Sequence, residues 1–289
     1  MPFPAGGGTD LIARPLAANL SQALSVPVIV DNKAGGAAMI GSGFVAKAKP
    51  DGYTLLITVG SPIVINPAVF KKMTYDSVKD FTAVSQVSTM PVAIAVQKSF
   101  PANNLEEFVD FVKKSKQPLS FGSTGPGSAS HIIGEVVNRR LGVDLTHIPY
   151  QGSAPAVNAV LAGHVTAVYA DMAAIATQVD GGKLKVLAVT GTQRGRTRPD
   201  VKTFEEQGVK GLRSSWVAVF APAGTPQSVL HTLSDAVAKA VHTKDISDLI
   251  IRGGMEPSVS LPAEMNHRVQ VDLANWQELV KDIGGISLE

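Results

Sequence analysis

Leu119-Ser120-Phe121-Gly122-Ser123-Thr124-Gly125-Pro126-Gly127-Ser128-Ala129-Ser130-His131 passes from a strand-like run through a glycine-rich turn into a helical pattern whose buried face is Ile132, Ile133, Val136, Val137 and Leu141. This is a βα unit. Glycines let the backbone turn sharply and approach a ligand, and the first helical turn leaves N–H groups unpaired at the positive end of the helix dipole. Such a turn suits a carboxylate or a phosphate, and it is equally an ordinary α/β connection.

The same logic recurs twice. Phe3-Pro4-Ala5-Gly6-Gly7-Gly8-Thr9-Asp10 precedes an amphipathic segment, and His147-Ile148-Pro149-Tyr150-Gln151-Gly152-Ser153-Ala154-Pro155 ends a strand and enters a helix with Ser153 as N-cap and Gly163 past its end. Three such turns can converge on one ligand at the carboxyl ends of parallel strands. Strand-like runs at Val26–Asp31, Tyr53–Val59, Val92–Val96, Leu119–Ser123, Leu145–Pro149, Thr166–Ala170, Lys185–Thr190 and Trp216–Ala221 alternate with helical patterns, which predicts an α/β fold with largely parallel sheets. Thr225 and Pro226 open a further helix with Val229, Leu230, Leu233, Val237 and Val241 on its apolar face. Pro15 inside the first helical pattern predicts a bend or a break.

Pro-bearing stretches at Gln97–Asn103 and Phe220–Pro226 are the expected crossings between two lobes, residues 1–98 plus 223–289 and residues 99–222. Two crossings make a hinge, and a hinge makes a clamshell.

Composition removes several functions. A net charge of +2 with 17% charged residues is too mild for a nucleic-acid footprint, and the short basic run Arg194, Arg196, Arg198 reads as a solvated loop. With no cysteine there is no disulfide, thiolate metal site or cysteine nucleophile. No apolar run reaches the roughly 18 to 20 residues that span a bilayer. His131, His147, His164, His231, His242 and His267 show no metal-binding spacing, so neither a metal nor a cofactor is expected.

The three turns contain no Lys or Arg, and the phosphate-loop pattern G-x-x-x-x-G-K-[ST] is absent, which favours a small carboxylate held by N–H groups, hydroxyls and helix dipoles. Ser128, His131 and Asp171 supply the residue types of a nucleophilic triad but without a G-x-S-x-G elbow; the alternative is an α/β enzyme acting on a small carboxylic acid. His131 reads more simply as a local polar contact. Asp10 complements a helix dipole, and Asp171 is either the N-cap of a helix starting near Met172 or an acceptor for a ligand hydroxyl or ammonium.

Pro2–Asp10, Asp51-Gly52-Tyr53-Thr54-Leu55-Leu56, Asn66-Pro67, Lys79-Asp80-Phe81, Gly122–His131, Pro149–Ala156 and Ala221–Pro226, taken in order and spacing, make the chain resemble the Bug-type solute receptors of tripartite tricarboxylate transporters, the TctC family. The resemblance spans essentially the whole chain. It implies a two-lobed type II periplasmic binding protein, a clamshell of parallel-rich sheets flanked by helices, which works as a monomer in the periplasm. Such a receptor captures a small organic acid or acidic amino acid and delivers it to membrane permease subunits, without nucleic acid, cofactor or catalysis. Carried over by position, the ligand-binding residues are Gly7, Gly8 and Thr9 in one lobe and Ser123, Thr124, Gly127, Ser128, Ala170 and Asp171 in the other, with Ser61 and Tyr150 lining the cleft. Family members also carry an apolar strand ahead of the Pro-Phe-Pro element and a secretion leader, neither of which precedes Phe3 here, and Ala5 stands where proline is common.

Overall fold

The computed structural model describes residues 1–6 and 8–288. In chain order the helices are α1 (Gly8–Leu24), α2 (Met39–Ala46), α3 (Asn66–Val69), α4 (Leu105–Lys114), α5 (Ala129–Leu141), α6 (Ser153–Leu161), α7 (Met172–Asp180), α8 (Gln227–Val241), α9 (Lys244–Arg252) and α10 (Pro262–Asp282). The strands are β1 (Leu56–Val59), β2 (Phe81–Met90), β3 (Val92–Gln97), β4 (Leu119–Ser123), β5 (Leu145–Pro149), β6 (Ala167–Asp171), β7 (Leu184–Val189), β8 (Ser215–Pro222) and β9 (Glu256–Pro257).

These strands form two sheets, ordered β1-β8-β2-β9 and β5-β4-β6-β3-β7. The chain leaves the first sheet at Pro91, between β2 and β3, and returns between β7 and β8. The sheets therefore place Val92–Gln97 with the second lobe and Ser215–Pro222 with the first, unlike the expected boundaries at 98/99 and 222/223. The Pro-bearing stretches expected to cross are turns at strand ends, with Phe100 N–H bonded back to Gln97 and Thr225 N–H to Pro222. The actual first crossing is a single proline, which has no N–H to offer a ladder.

Parallel pairing is also narrower than expected. Among the described strands only β4 with β5 and with β6 run parallel; β3 is antiparallel to β6 and β7, and every described pairing in the first sheet is antiparallel. β2 escaped the sequence reading because it is buried nearly throughout, so polar and apolar residues do not alternate along it. Its polar groups are matched instead. Ser85 Oγ donates to the Ser260 carbonyl and the Arg268 guanidinium to Gln86 Oε1.

Val26–Asp31 runs without a ladder, though Lys33 N–H donates to the Met1 carbonyl and the Met1 amine to that of Asp31. A β-prone run becomes a strand only with a neighbour to bond. Here a cavity of about 320 Å³, lined by Leu16, Val28, Val30, Leu55 and Ile57, separates it from the edge strand β1. Pro15 does not end α1, which continues to Leu24. Ser153 is the first residue of α6, with Gly152 at the cap, and Thr225 forms the turn ahead of α8 by donating its hydroxyl to the Pro222 carbonyl.

One cluster of buried side chains runs from Leu56, Ile63 and Phe220 in the first lobe through Val92 and Ile94 to Phe121, Ile132 and Ile133 in the second. Within it, α5 approaches β4 closely at Gly134. A Cβ there would lie 2.3 Å from Cε2 of the Phe121 ring, and Phe121 is fully buried. Glycine inside a helix costs roughly 1 kcal/mol relative to alanine, so this position is set by packing. Gly134→Ala is expected to destabilise the protein by about 1–3 kcal/mol, the usual cost of overpacking a core. Urea unfolding would check this, and a rise in stability would show that helix propensity outweighs the contact.

Candidate functional site

The parallel ladders fix the level of the strand ends. Ser123 pairs with Pro149, and Gly122 with Ile148 and Val168, so Thr124, Tyr150 and Ala170 come level at the carboxyl edge of three adjacent strands. The βα turns that follow β4, β5 and β6 thus open side by side; of the three turns expected to converge, this edge gathers the two after β4 and β5, while the Phe3–Asp10 turn belongs to the other lobe.

The β4–α5 turn is held by a knot of hydroxyls. Ser130 Oγ accepts from the Thr124 N–H at 2.9 Å and lies 2.9 Å from both Thr124 Oγ1 and Ser128 Oγ. Ser128 caps α5 by accepting from the His131 N–H, and its hydroxyl donates to the Gly125 carbonyl. Ser130 is buried, and the sequence reading missed it; a second serine in the first turn of α5 was the available signal. The knot leaves the amides of Ala129 and Ser130, the first two of α5, with no helical acceptor, at the positive end of the helix.

Ser123 plays an inward part. It is fully buried, and its hydroxyl lies 2.6 Å from His147 Nε2 while accepting from the Gly125 N–H. Gly127 sits at φ +70° with its N–H donating to His131 Nδ1 at 3.0 Å. A Cβ on Gly127 would come 2.6 Å from Leu288 Cδ1 and 3.3 Å from Val69 Cγ2, so the turn presses against the first lobe and tolerates no side chain. Thr124 and Ser128 are partly exposed, and the ring of Tyr150 lies against Gly122.

Beneath the turn, three rings stack. Phe121 lies on His147 with centroids 5.0 Å apart, and His147 on His131 at 3.9 Å with 13° between planes. Burial lowers both histidines; with the neighbouring ring added, His147 falls to about 4. His147 was read only as part of a strand, since nothing in its spacing points to His131. His131, Glu135 and His147 each bring a ligating atom within 4.8 Å of the others. Nearly parallel rings do not converge their lone pairs on one ion, and His131 Nδ1 and His147 Nε2 are already engaged, so the arrangement suits support better than metal ligation.

In the first lobe, Gly7 lies outside the described residues, and α1 begins at Gly8 with Thr9 partly exposed in its first turn. Asp10 does more than face a dipole. It is buried, accepts from Arg14 Nε at 2.7 Å, the Gly6 N–H at 2.9 Å and Asn32 Nδ2 at 3.1 Å, and these bonds, Arg14 first, hold its carboxyl down at about 2. Asn32 Nδ2 also donates to the Phe3 carbonyl, so one carboxylate pins both ends of the glycine-rich turn. Ser61 opens a π-helical turn, Ser61–Ile65, which packs under α10. Among the described residues, no hydrogen bond or ion pair joins the side chain of Thr9 or Ser61 to the second-lobe turns.

Ala170 is fully buried, its side chain among Ala93, Val168 and Ile175, so only its backbone can serve a ligand. Asp171 stands at the N-cap position of α7 but makes no capping bond. Burial raises its carboxyl to about 6, and no cation or donor among the described residues offsets that. Ser128, His131 and Asp171 do not form a relay: Ser128 bonds the His131 backbone, and the His131 ring takes the Gly127 amide.

The family model described as "Tripartite tricarboxylate transporter family receptor" (TctC) matches residues 12–285. The chain belongs to this family. It is 30% identical to Protein BugT of Bordetella pertussis over 286 residues, covering 98% of this chain and 88% of that protein. Among solved structures it is similar to Rpa4515 of R. palustris with adipate, at 31% identity and TM-score 0.88 over 99% of this chain and 96% of that one. It is likewise similar to the periplasmic binding protein BugD (33%, TM-score 0.84, 99% and 97% covered) and to MatC of Rhodopseudomonas palustris with bound malate (30%, TM-score 0.81, 96% of each). The two-lobed clamshell is the family's fold, and the family consists of solute receptors and not enzymes, which removes the catalytic alternative. No helix among the described residues is long and apolar enough to cross a membrane.

The state of Asp171 can be read in the empty receptor. Its raised carboxyl means that the native state holds the proton more tightly than the unfolded chain does, so stability from this residue increases as pH falls from above 6 toward 3.8. Asp171→Asn is therefore expected to raise the melting temperature at pH 7.5 and to lose that gain by pH 4. An equal gain at both pH values in a thermal scan would show that the carboxyl is not raised.

Proposed function

We propose that this chain is the periplasmic solute receptor of a tripartite transporter, closing two lobes on a small dicarboxylate and presenting it to the membrane permease subunits. The observation that carries the ligand class is the β4–α5 turn, where the amides of Ala129 and Ser130 head α5 beside a knot of mutually bonded hydroxyls, without Lys or Arg. Relatives of known ligand agree with this chemistry, one holding adipate and one malate. The hinge is Pro91 together with Arg213 and Ser214, because the 190–212 segment is bonded to β7 and packs on Tyr169, so the lobes are residues 1–90 plus 215–289 and residues 92–212.

One carboxylate sits at the head of α5, contacted by Thr124, Ser128 and the backbone of the turn, with Gly127, Tyr150 and Ala170 shaping its surroundings. Ser123 supports the turn from below. Gly8 and Thr9 at the head of α1, with Gly7 and Ser61, supply the first-lobe contacts that only the closed state makes, and that differential contact drives closure.

Asp171 sets the choice among acids. Half-buried and given no donor by the described residues, its carboxylate repels a second carboxylate and favours a ligand that brings a hydroxyl or ammonium donor to it. A hydroxy or amino diacid is the preferred class, bound by a monomer.

A thermal-shift screen of malate, aspartate, succinate and adipate tests this reading, because a ligand at 100 times its Kd stabilises the native state by about 2.7 kcal/mol. Malate or aspartate is expected to give the largest shift. Asp171→Ala should weaken that ligand at least about tenfold in calorimetry, the cost of losing a charged hydrogen bond, while changing succinate much less. Equal losses would remove Asp171 from ligand selection, and no shift with any acid would overturn the carboxylate reading.

A further inference from the structure

We propose that His131 and His147 are positioning residues for the β4–α5 turn, holding it in its binding shape only while both rings are neutral, so that protonation of the stack releases the turn and the ligand with it. This rests on the reading of that turn as the carboxylate site.

The hydrogen-bond directions carry the argument. Gly127 N–H donates to His131 Nδ1, so Nδ1 bears a lone pair, and the proton of the neutral ring is on Nε2, 3.9 Å from Glu135 Oε1. The next proton has one place to go. Adding it to Nδ1 sets N–H against N–H at the one residue of the turn that is wedged against Val69 and Leu288. The second ring reaches the same turn: His147 Nε2 lies 2.6 Å from Ser123 Oγ, which holds the Gly125 N–H. With the neutral ring's proton on Nδ1 the hydroxyl donates to Nε2, and charging His147 makes Nε2 the donor and turns that hydroxyl proton toward the Gly125 carbonyl.

The stack magnifies the effect. Two imidazolium rings with centroids 3.9 Å apart repel each other, and His147 is held between His131 and the apolar face of Phe121. Around the rings, Glu135 on α5, Asp144 ahead of β5 and Tyr169 on β6 are the titratable groups; β4 brings Phe121 and Ser123, neither charged. Among the described residues Glu135, 3.9 Å from His131 Nε2, is the group that would favour a charged His131, and its own carboxyl is raised by burial and by Asp144, which weakens that help as the solution becomes acidic. Both histidines sit below their ordinary value, so the held turn and the neutral stack are favoured together at neutral pH, and the advantage fades as pH falls from 6.5 toward about 4.

Two measurements test the proposal. In ¹⁵N NMR of the ligand-free protein from pH 4.5 to 8, His131 is expected to show an unprotonated Nδ1 at neutral pH. The Gly127 amide signal should move on acidification with the same midpoint as the rings. A Gly127 signal that stays fixed while the rings titrate would overturn the proposal, as would rings that both titrate at their ordinary value.

The second measurement is adipate and malate affinity at pH 7.5 and pH 5 for the wild type and for the double variant His131→Asn, His147→Gln, whose amide oxygens keep the two acceptors but do not titrate. The ratio of the two affinities is compared between proteins, which cancels the titration of the ligand and of Asp171. The wild type is expected to lose at least about threefold more than the variant. His147 by itself accounts for up to about thirtyfold at pH 5, as its ring passes from about 4 in the held turn to its ordinary 6.5 in the released one, and His131 adds to this. Equal ratios would overturn the proposal. Should the wild type bind neither acid nor any other dicarboxylate at pH 7.5, the carboxylate reading fails by itself, and the Gly127 titration still decides whether the stack holds the turn.

Discussion

The column Phe121–His147–His131 ties the candidate ligand turn to the interior of the second lobe. At its base, Phe121 is fully buried and meets α5 at Gly134; at its top, His131 accepts the Gly127 amide. A backbone N–H in a buried turn must find a partner or cost on the order of 1–3 kcal/mol. Here the partner is a side chain from the helix that the same turn introduces, so the turn and helix fix one another. Ser130 closes the arrangement from the other side by taking the Thr124 amide. With Gly127, Gly125 and Thr124 satisfied internally, the amides at the head of α5 are the ones left for a ligand.

The first lobe reaches a comparable result with a charge. Asp10 gathers Gly6, Arg14 and Asn32, and Asn32 reaches back to Phe3, so the entry to α1 is braced by a buried carboxylate whose partners keep it ionised. Asp171 is the contrast. It has the same chemistry and no partner, and burial pushes its proton affinity up. A paired carboxylate is scaffold, whereas an unpaired one held at a strand end stores a cost that a ligand donor can offset. That difference separates the two acids, which in the sequence look alike as helix-start aspartates.

The lobes meet through packing as well as through the hinge. Gly127 rests on Val69 and Leu288, Arg140 pairs with Asp282, and Gly254 lies against the start of α7 at Met172. The residues proposed to contact a ligand and those that meet the opposite lobe are therefore neighbours in the same turn. On the proposed reading, closure and binding draw on one small set of atoms, which is the physical condition for a ligand to shift the balance between open and closed forms.

Much of this was legible in the residues. β4 and β5 were placed to the residue and β3, β6, β7 and β8 to within one, because their apolar runs end in glycine or proline turns, whereas the capping role of Ser128 on α5 is seen only in the structure. The carboxylate preference followed from turns that contain glycine and hydroxyls but no Lys or Arg. What the sequence could not determine depended on partners remote in the chain. β2 hides its strand character because both faces are buried, Val26–Asp31 has strand composition but joins no ladder among the described residues, and the crossing between the sheets falls at Pro91, which no local pattern distinguishes from the prolines in ordinary turns. His147 and His131 are 16 residues apart, and neither carries a signal of the other. Local sequence sets which backbone conformations are cheap, and those were read; which strand lies beside which, and so which side chains share a hydrogen bond or a ring face, is decided only when the sheets assemble.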